Sequence, residues 1–240
     1  MFELYNEDNC KVMLALRKKE CKFDLIYSDM IYENEDFLWV SLSKDLLKPD
    51  GIFIVQLDWH NLAEMKTYCD RLYGKQNFIN HCIYINDWGG TPKKGFPNKH
   101  DDIFIYGNSK NWKWYKERIE IPKVTAGTKF DKKGTGMKTP CDVFYDHASF
   151  STVSKERVKD ENDKNLKWQK PEWLMDRLLS PFTDEGDFIL DNFMGSGTTG
   201  KWCLKNKRKF VGIENDPKIF EIAQAELMYL DFDIDIFENA

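Results

Sequence analysis

The run Asp191-Asn192-Phe193-Met194-Gly195-Ser196-Gly197-Thr198-Thr199-Gly200 holds the residues best suited to grip a nucleotide-type cofactor. Residues 187–190 read as a short buried strand and Thr198 onward as a helix, so the glycines fall in a strand-to-helix turn. Such a turn aims free backbone N–H groups at a ligand, and Gly195 and Gly197 remove Cβ atoms where the ligand must approach the main chain. A second strand, 209–213, ends in Glu214, whose carboxylate is suited to both hydroxyls of a ribose. Read literally, Gly195 to Gly200 satisfies G-x-G-x-x-G, which points first to NAD. Only one more helix, 217–229, and an acidic tail follow, too little to complete a dinucleotide fold. The other strands are therefore expected from the N-terminal side, in a circularly permuted order that brings the cofactor loop late.

That order turns attention to Phe23-Asp24-Leu25-Ile26-Tyr27-Ser28, a continuous apolar strand running into Asp29-Met30-Ile31-Tyr32. Ligands of open α/β sheets bind outside the carboxyl ends of strands, so Asp29 and Tyr32 stand where side chains can act. An acidic residue and an aromatic at a strand end, followed much later by Asp-x-Phe-x-Gly-x-Gly, resembles the amino-group DNA methyltransferases. The motif order is similar to that of their permuted β group. The resemblance covers nearly the whole chain and is weakest over 115–166. Tyr5-Asn6-Glu7-Asp8-Asn9-Cys10 resembles the family segment that gives a carboxylate to the cofactor's adenine amino group; Asp8 and Asn9 compete for that role, with Asp8 preferred. Leu47-Lys48-Pro49-Asp50-Gly51-Ile52-Phe53 is similar to a family helix, turn and core strand. The segments Lys99 to Tyr106 and Gln169-Lys170-Pro171-Glu172-Trp173-Leu174 match two further stretches, the second opening a helix that the family sets against the methionine end of the cofactor.

The resemblance implies S-adenosylmethionine as cofactor, held by Asp8, Asn9, Lys170, Asp191, Phe193, Gly195, Ser196, Gly197, Thr198, Thr199, Glu214 and Asp216, with Asp29, Met30, Ile31 and Tyr32 as the catalytic motif. The family usually has Asp-Pro-Pro-Tyr there, and this chain has neither proline. A proline would fix φ and hold a carbonyl toward the target amine, so a looser loop is expected. Asn192, where proline is common, is a milder departure. The chemistry explains the constellation. An exocyclic amine is a poor nucleophile because its lone pair is delocalised into the ring. Asp29 and the Met30 carbonyl, both acceptors, would take its two hydrogens and favour a tetrahedral nitrogen. The base must leave the duplex stack to be reached, and Tyr32 would stack on it.

Each assignment has a plainer rival. A lone Asp-x-x-Tyr at a strand end is usually a turn or cap. Phe193 is equally at home in a core. Asp216 is the better placed cap for the helix near Pro217, which leaves Glu214 for ribose. Lys170 stands equally between a cofactor contact and a solvated side chain.

Net charge is −5 over 240 residues, at first unfavourable for nucleic acid. The distribution reverses that, because residues 93–170 carry 18 Lys or Arg against 11 Asp or Glu, leaving −12 on the remainder. Glycine and lysine loops at 88–95 and 129–138 are suited to track a phosphate backbone through Lys93, Lys94, Lys129, Lys132, Lys133 and Lys138, with Trp112, Trp114, Tyr115 and Trp168 interleaved. Lysines that merely solubilise surface loops are the rival. Six cysteines lack C-x-x-C or His spacing and read as reduced thiols, not disulfides or zinc ligands. No signal peptide or membrane-length apolar run is seen, so a cytoplasmic protein without a metal is expected.

The elements that must position these residues alternate as α/β units should. Strands are predicted at 2–5, 23–28 and 52–57, helices at 10–18, 36–47 and 62–72, then strands 78–85 and 102–106 as an antiparallel edge hairpin. Helix 171–179 and the cofactor unit complete the sheet. The expected architecture is an α/β, Rossmann-like methyltransferase sheet with helices on both faces. Residues 1–110 carry the catalytic motif, 111–166 form a loop-rich target-recognition insert, and 167–240 bind the cofactor. The expected activity is methylation of adenine N6 in double-stranded DNA within a restriction-modification setting, the aspartate at 29 favouring adenine as it does in the family. Cytosine N4, or a catalytically degenerate DNA-binding subunit, are the alternatives, and a homodimer is expected.

Overall fold

The computed structural model describes residues 2–30, 36–86, 90–132, 134–145, 150 and 154–238, with side chains described as far as 231. Ile31, Tyr32 and Lys133 lie outside the described residues.

Ten strands and six helices follow one another along the described chain: β1 (Phe2–Asn6), α1 (Asn9–Lys18), β2 (Phe23–Asp29), α2 (Leu38–Leu46), β3 (Leu47–Leu57), α3 (Leu62–Cys69), β4 (Phe78–Ile85), β5 (His100–Gly107), β6 (Ile121–Pro122), β7 (Met137–Lys138), β8 (Val143–Phe144), α4 (Glu172–Leu179), β9 (Phe188–Asp191), α5 (Thr198–Lys205), β10 (Lys209–Glu214) and α6 (Pro217–Glu238). Eight strands form one sheet in the order β1-β10-β9-β2-β3-β5-β4-β8. The first five are mutually parallel, β5 runs against both β3 and β4, and β8 is parallel to β4. The antiparallel hairpin therefore lies toward one edge, as its sequence suggested, although β8 and not β4 ends the sheet.

The central strands are apolar on both faces because both faces are covered. Alternate residues sort to opposite sides. Ile26, Phe53, Val55, Leu190 and Val211 pack with Met13 and Leu16 of α1, Trp39 and Leu42 of α2 and Met65 of α3. Leu25, Ile52, Ile54, Ile189 and Phe210 pack with Leu174 and Leu178 of α4, Trp202 of α5 and Leu227 of α6. Helices thus line both faces, and the change of side occurs where β9 meets β2. That crevice is where an open α/β sheet takes its ligand.

One predicted turn is absent. Lys48-Pro49-Asp50 belongs to an extended bulge, with Leu47 opposite Phe23 and Ile52 opposite Leu25. Two side-chain contacts fix it: Lys48 pairs with Asp24 at 2.8 Å, and Asn108 Nδ2 donates to the Lys48 carbonyl at 3.0 Å. Pro49 is tolerated because a bulge spares it a ladder donor. The aromatics at 112–115 also differ from the sequence reading. Trp112 and Trp114 pack on Phe182, Tyr115 donates its hydroxyl to Asp184, and Arg118 donates to the Ser180 and Thr183 carbonyls. These groups precede β9, at the sheet edge opposite Asp29, so the rings serve packing there and do not interleave with the lysine loops.

Candidate functional site

Parallel strands deliver their carboxyl ends to one edge. Asp29 ends β2, Asp191 ends β9 and Glu214 ends β10. Tyr27 is opposite Asp191, and Asp191 opposite Gly212, so the three acids come together from residues up to 185 positions apart. They open on a cavity of about 690 Å³. Its wall also includes Asp8, Asn9, Phe193, Gly195, Ser196, Thr198, Thr199, Asp216 and Lys170, so every described residue expected at the cofactor lines it except Gly197. Gly197 stands just behind, as the N-cap of α5.

The loop after β9 is made by backbone geometry. Gly195 has φ +52° and Gly197 φ +80°, left-handed values that suit glycine. A Cβ on Gly197 would meet Ala223 at 3.4 Å and Leu227 at 3.5 Å. Glu214 accepts from the Gly195 N–H at 2.9 Å and from the Asp216 N–H at 2.9 Å, one on each carboxylate oxygen. The carboxylate expected at the ribose is thus braced by main-chain N–H groups. Burial nevertheless raises its pKa above the ordinary glutamate value, against backbone hydrogen bonds from Asp216, Gly195 and Asn215.

Asp191 is only 2% exposed, and it accepts from the Phe193 N–H at 3.0 Å. Burial pushes its carboxyl up to about 7, while the Thr199 hydroxyl and the Phe193 N–H oppose the rise. Phe193 meets both of its expected roles, lining the cavity and standing edge-on to Trp39 at 5.1 Å. Asp8 caps α1 by accepting from the Lys11 N–H at 2.9 Å, and Asp216 caps α6 by accepting from Lys218 and Ile219. Asn9 Nδ2 and Asn192 Nδ2 are buried without a partner among the described residues. Ser28 Oγ donates to Asn192 Oδ1 at 2.5 Å, tying the end of β2 to the loop after β9.

The end of β2 is organised differently. The Met30 N–H donates to the Gln56 carbonyl at 3.0 Å, extending the β2–β3 ladder one residue past Asp29. No proline makes that bond. Asp29 Oδ2 pairs with Lys170 Nζ at 2.7 Å, and Lys170 also reaches Asp101 at 3.4 Å. Both are largely buried, the Lys170 side chain 13% and the Asp29 side chain 20% exposed. Burial raises the Asp29 carboxyl to about 6, Lys170 lowers it and Asp101 raises it. Lys170 in turn is held above the ordinary lysine value by Asp29 and Asp101, although its burial acts the other way. The lysine expected at the cofactor thus touches the carboxylate expected to be catalytic as well as the cavity.

Sequence reading missed Asp101, Gln56 and Tyr27. Tyr27 donates to Gln56 Oε1 at 2.8 Å, and Gln56 Nε2 donates to Asp101 Oδ2 at 2.7 Å. The only available signals were a glutamine inside the apolar run Ile52 to Leu57 and the acidic pair preceding Ile103. Trp168, which lies among the lysines in sequence, stands on the cavity wall, 68% exposed and at φ +65°. A bulky residue in that conformation is a strained feature of the kind that clusters at functional sites.

Five lysines expected at DNA, Lys93, Lys94, Lys129, Lys132 and Lys138, are exposed. Lys93 and Lys94 sit between β4 and β5, on the edge that carries Asp29, since β4 runs the same way as β3. The other three belong to the excursion closed by the two-stranded β6–β7 hairpin. Lys123 pairs with Asp131 at 2.6 Å inside it. Among the described residues no group of three or more His, Cys, Asp or Glu is arranged to hold a metal, and no helix is long and apolar enough to cross a membrane.

A family model described as DNA methylase, for the N6 and N4 amino enzymes, matches residues 18–225. The chain belongs to this methylase family. The family's cofactor is S-adenosylmethionine, and the cavity fits it: glycine turns leave room at the main chain, buried amides of Asn9 and Asn192 await acceptors, and acids outnumber lysines on the wall, as a sulfonium requires. The chain is 41% identical over 206 residues to the Type II methyltransferase M2.LlaDCHI of Lactococcus lactis subsp. cremoris, covering 81% of this chain and 67% of that one. It spans 57, 65 and 67% of the length of three curated relatives that it matches. In fold it is similar to the M1.HpyAVI–SAM complex, with TM-score 0.71 at 20% identity over 95% of this chain and 100% of the other. The PvuII DNA methyltransferase, described as cytosine-N4-specific, gives TM-score 0.71 at 14% identity over 97 and 92%.

Proposed function

We propose that this methylase transfers a methyl group from S-adenosylmethionine to the exocyclic N6 of an adenine drawn out of double-stranded DNA. The observation that carries the reading is Asp29, a buried acceptor at a strand end that opens on the same cavity as the glycine loop. Bound S-adenosylmethionine supplies an electrophilic methyl on its sulfonium. The chain's part is to bring a nitrogen lone pair to it. Asp29 accepts one amine hydrogen and the Met30 carbonyl the other, which draws the nitrogen toward the tetrahedral geometry it needs to attack. No residue forms a covalent bond to the base. Tyr32 supplies the stacking face, worth roughly 1–3 kcal/mol against an extrusion cost of similar size.

At the cofactor, the backbone turn at Gly195 and Gly197 takes the main-chain contact, Glu214 the ribose, Asp8 or Asn9 the adenine amine, and Asp191 the cationic end. Lys93, Lys94, Lys129, Lys132, Lys133 and Lys138 would meet phosphates, and residues 111–166 would read the target sequence. The circularly permuted order belongs to the same reading. So does a role beside a restriction enzyme, which the Type II naming of the relatives supports. The PvuII neighbour shares the fold and is described as cytosine-N4-specific, so fold leaves the base open and Asp29 is what favours adenine.

The test is transfer of labelled methyl to mixed-sequence duplex DNA, with mass spectrometry of the nucleosides. N6-methyladenine is expected. N4-methylcytosine would overturn the base assignment, and no incorporation by protein that binds S-adenosylmethionine would make the chain a degenerate subunit.

A further inference from the structure

We propose that Lys170 is a positioning residue for Asp29: it pins Oδ2 of that carboxylate and, anchored by Asp101, leaves Oδ1 presented to the target amine. This rests on the reading of Asp29 as the acceptor.

The geometry is a relay of buried polar groups running across the sheet. Lys170 Nζ is 2.7 Å from Asp29 Oδ2 and 3.4 Å from Asp101 Oδ2. Asp101 is fixed by two amides, Gln56 Nε2 at 2.7 Å on Oδ2 and Asn86 Nδ2 at 3.0 Å on Oδ1. Gln56 is 0% exposed and is held by the Tyr27 hydroxyl at 2.8 Å. The relay joins β2, β3, β5 and the residue before Pro171, the N-cap of α4. Removing one member leaves buried polar groups unpaired, so the arrangement tolerates few rotamers.

A carboxylate offers two oxygens, and the two demands on Asp29 are separable. The ammonium occupies one, and the amine hydrogen needs the other. The lysine also answers the burial problem, because an unpaired buried carboxylate takes up a proton and stops being a full acceptor. Its neighbours work against it: Asp101 and Asp191 are acids facing the same point, and Tyr27 and Tyr84 add neutral hydroxyls. Lys170 is the cation that faces Asp29 among the described residues. The missing prolines give this support a purpose. The residues after Asp29 carry no ring constraint on the backbone, and the relay constrains the Asp29 side chain itself.

The experiment compares wild type with Lys170→Met, Lys170→Arg and Asp101→Asn. It reads single-turnover methyl transfer from pH 5 to 9, S-adenosylmethionine affinity by calorimetry, and the Asp29 carboxyl by ¹³C NMR titration. Lys170→Met removes the nearby positive charge, so the Asp29 titration and the acidic limb of the rate should both move to higher pH, with a rate loss of roughly 100-fold at pH 7 that shrinks toward pH 9. Lys170→Arg should hold the limb near its wild-type position. Asp101→Asn removes a like charge, so its limb should move to lower pH while the maximal rate falls, opposite in sign to Lys170→Met. Cofactor affinity should fall far less than the single-turnover rate in each of them, as a positioning role requires. An Asp29 titration unmoved by Lys170→Met overturns the proposal, and so does a loss of cofactor affinity that accounts for the whole rate effect. Should Lys170→Met fail to fold, the opposite-sign prediction for Asp101→Asn still decides. The NMR titration needs no DNA, so a wild type that methylates nothing would sink the functional reading while the pairing is judged separately.

Discussion

The proposed cofactor cradle and the proposed catalytic strand end share one cavity but are built from different materials. The cradle is main chain: two left-handed glycines, a helix N-terminus, and a glutamate braced by two N–H groups. The strand end is side chain: Asp29 held by Lys170, Lys170 by Asp101, Asp101 by Gln56 and Asn86. A backbone device depends on a few residues close together in sequence, and glycine is its signature. A side-chain relay draws on strands that only folding brings together. The chain keeps the family pattern in the cradle and departs from it at the strand end, where the relay offers an alternative source of order.

The largest test of the contrast is Asp29→Ala. Transfer should fall roughly 10³-fold or more while S-adenosylmethionine affinity stays within about threefold. Equal loss of both, read by single turnover and calorimetry, would make Asp29 structural and erase the division. Gly197→Val should do the reverse. A β-branched residue at φ +80°, with its Cβ against Ala223 and Leu227, should cost on the order of 10–100-fold in cofactor affinity. Normal binding by that variant would show that the turn does not hold the cofactor.

Met30→Pro asks whether the departure from proline is functional. The ring deletes the N–H that donates to the Gln56 carbonyl, so stability should fall by about 1–3 kcal/mol in urea unfolding. A stabilised variant would mean that this ladder bond is dispensable. Asp191 gives a smaller effect. Its carboxyl, raised to about 7, binds a proton more tightly folded than unfolded, so its contribution to stability declines as pH rises from the ordinary aspartate range toward 7. A cationic ligand prefers the ionised form, so affinity for S-adenosylmethionine should improve a few-fold from pH 6 to 8. Asp191→Asn should flatten that rise, and a rise that persists would assign it elsewhere. The smallest effect is expected at the exposed lysines, where Lys132→Ala or Lys138→Ala should each reduce the salt slope of DNA binding by about 1.

Much of the fold is legible because its signals are local. The hairpin strand 78–85 and the helix after Thr198 are found where patterning puts them, and β2 reads as buried because it is apolar on both sides. Pro49-Asp50-Gly51 misleads for the same local reason: turn-forming residues predict a turn, and the pairing of Lys48 with Asp24 from another strand makes an extended bulge instead. The aromatics at 112–115 lie among lysines in sequence but pack on Phe182 in space. Trp168 went the other way, from an insert aromatic to a cavity wall.

The sequence by itself determined the alternation of strands and helices, the glycine turn with its acidic partners, and the acid at the end of β2. Each is encoded within a few tens of neighbouring residues by backbone preference or burial period. Only the tertiary structure decided that Lys170 meets Asp29, that Asp101 and Gln56 stand behind it, and that Glu214 is braced and not free. Those contacts join residues 45 to 141 positions apart, or turn on where a loop closes. A buried polar side chain takes whichever partner the packed strands bring within reach, and no local propensity records that choice.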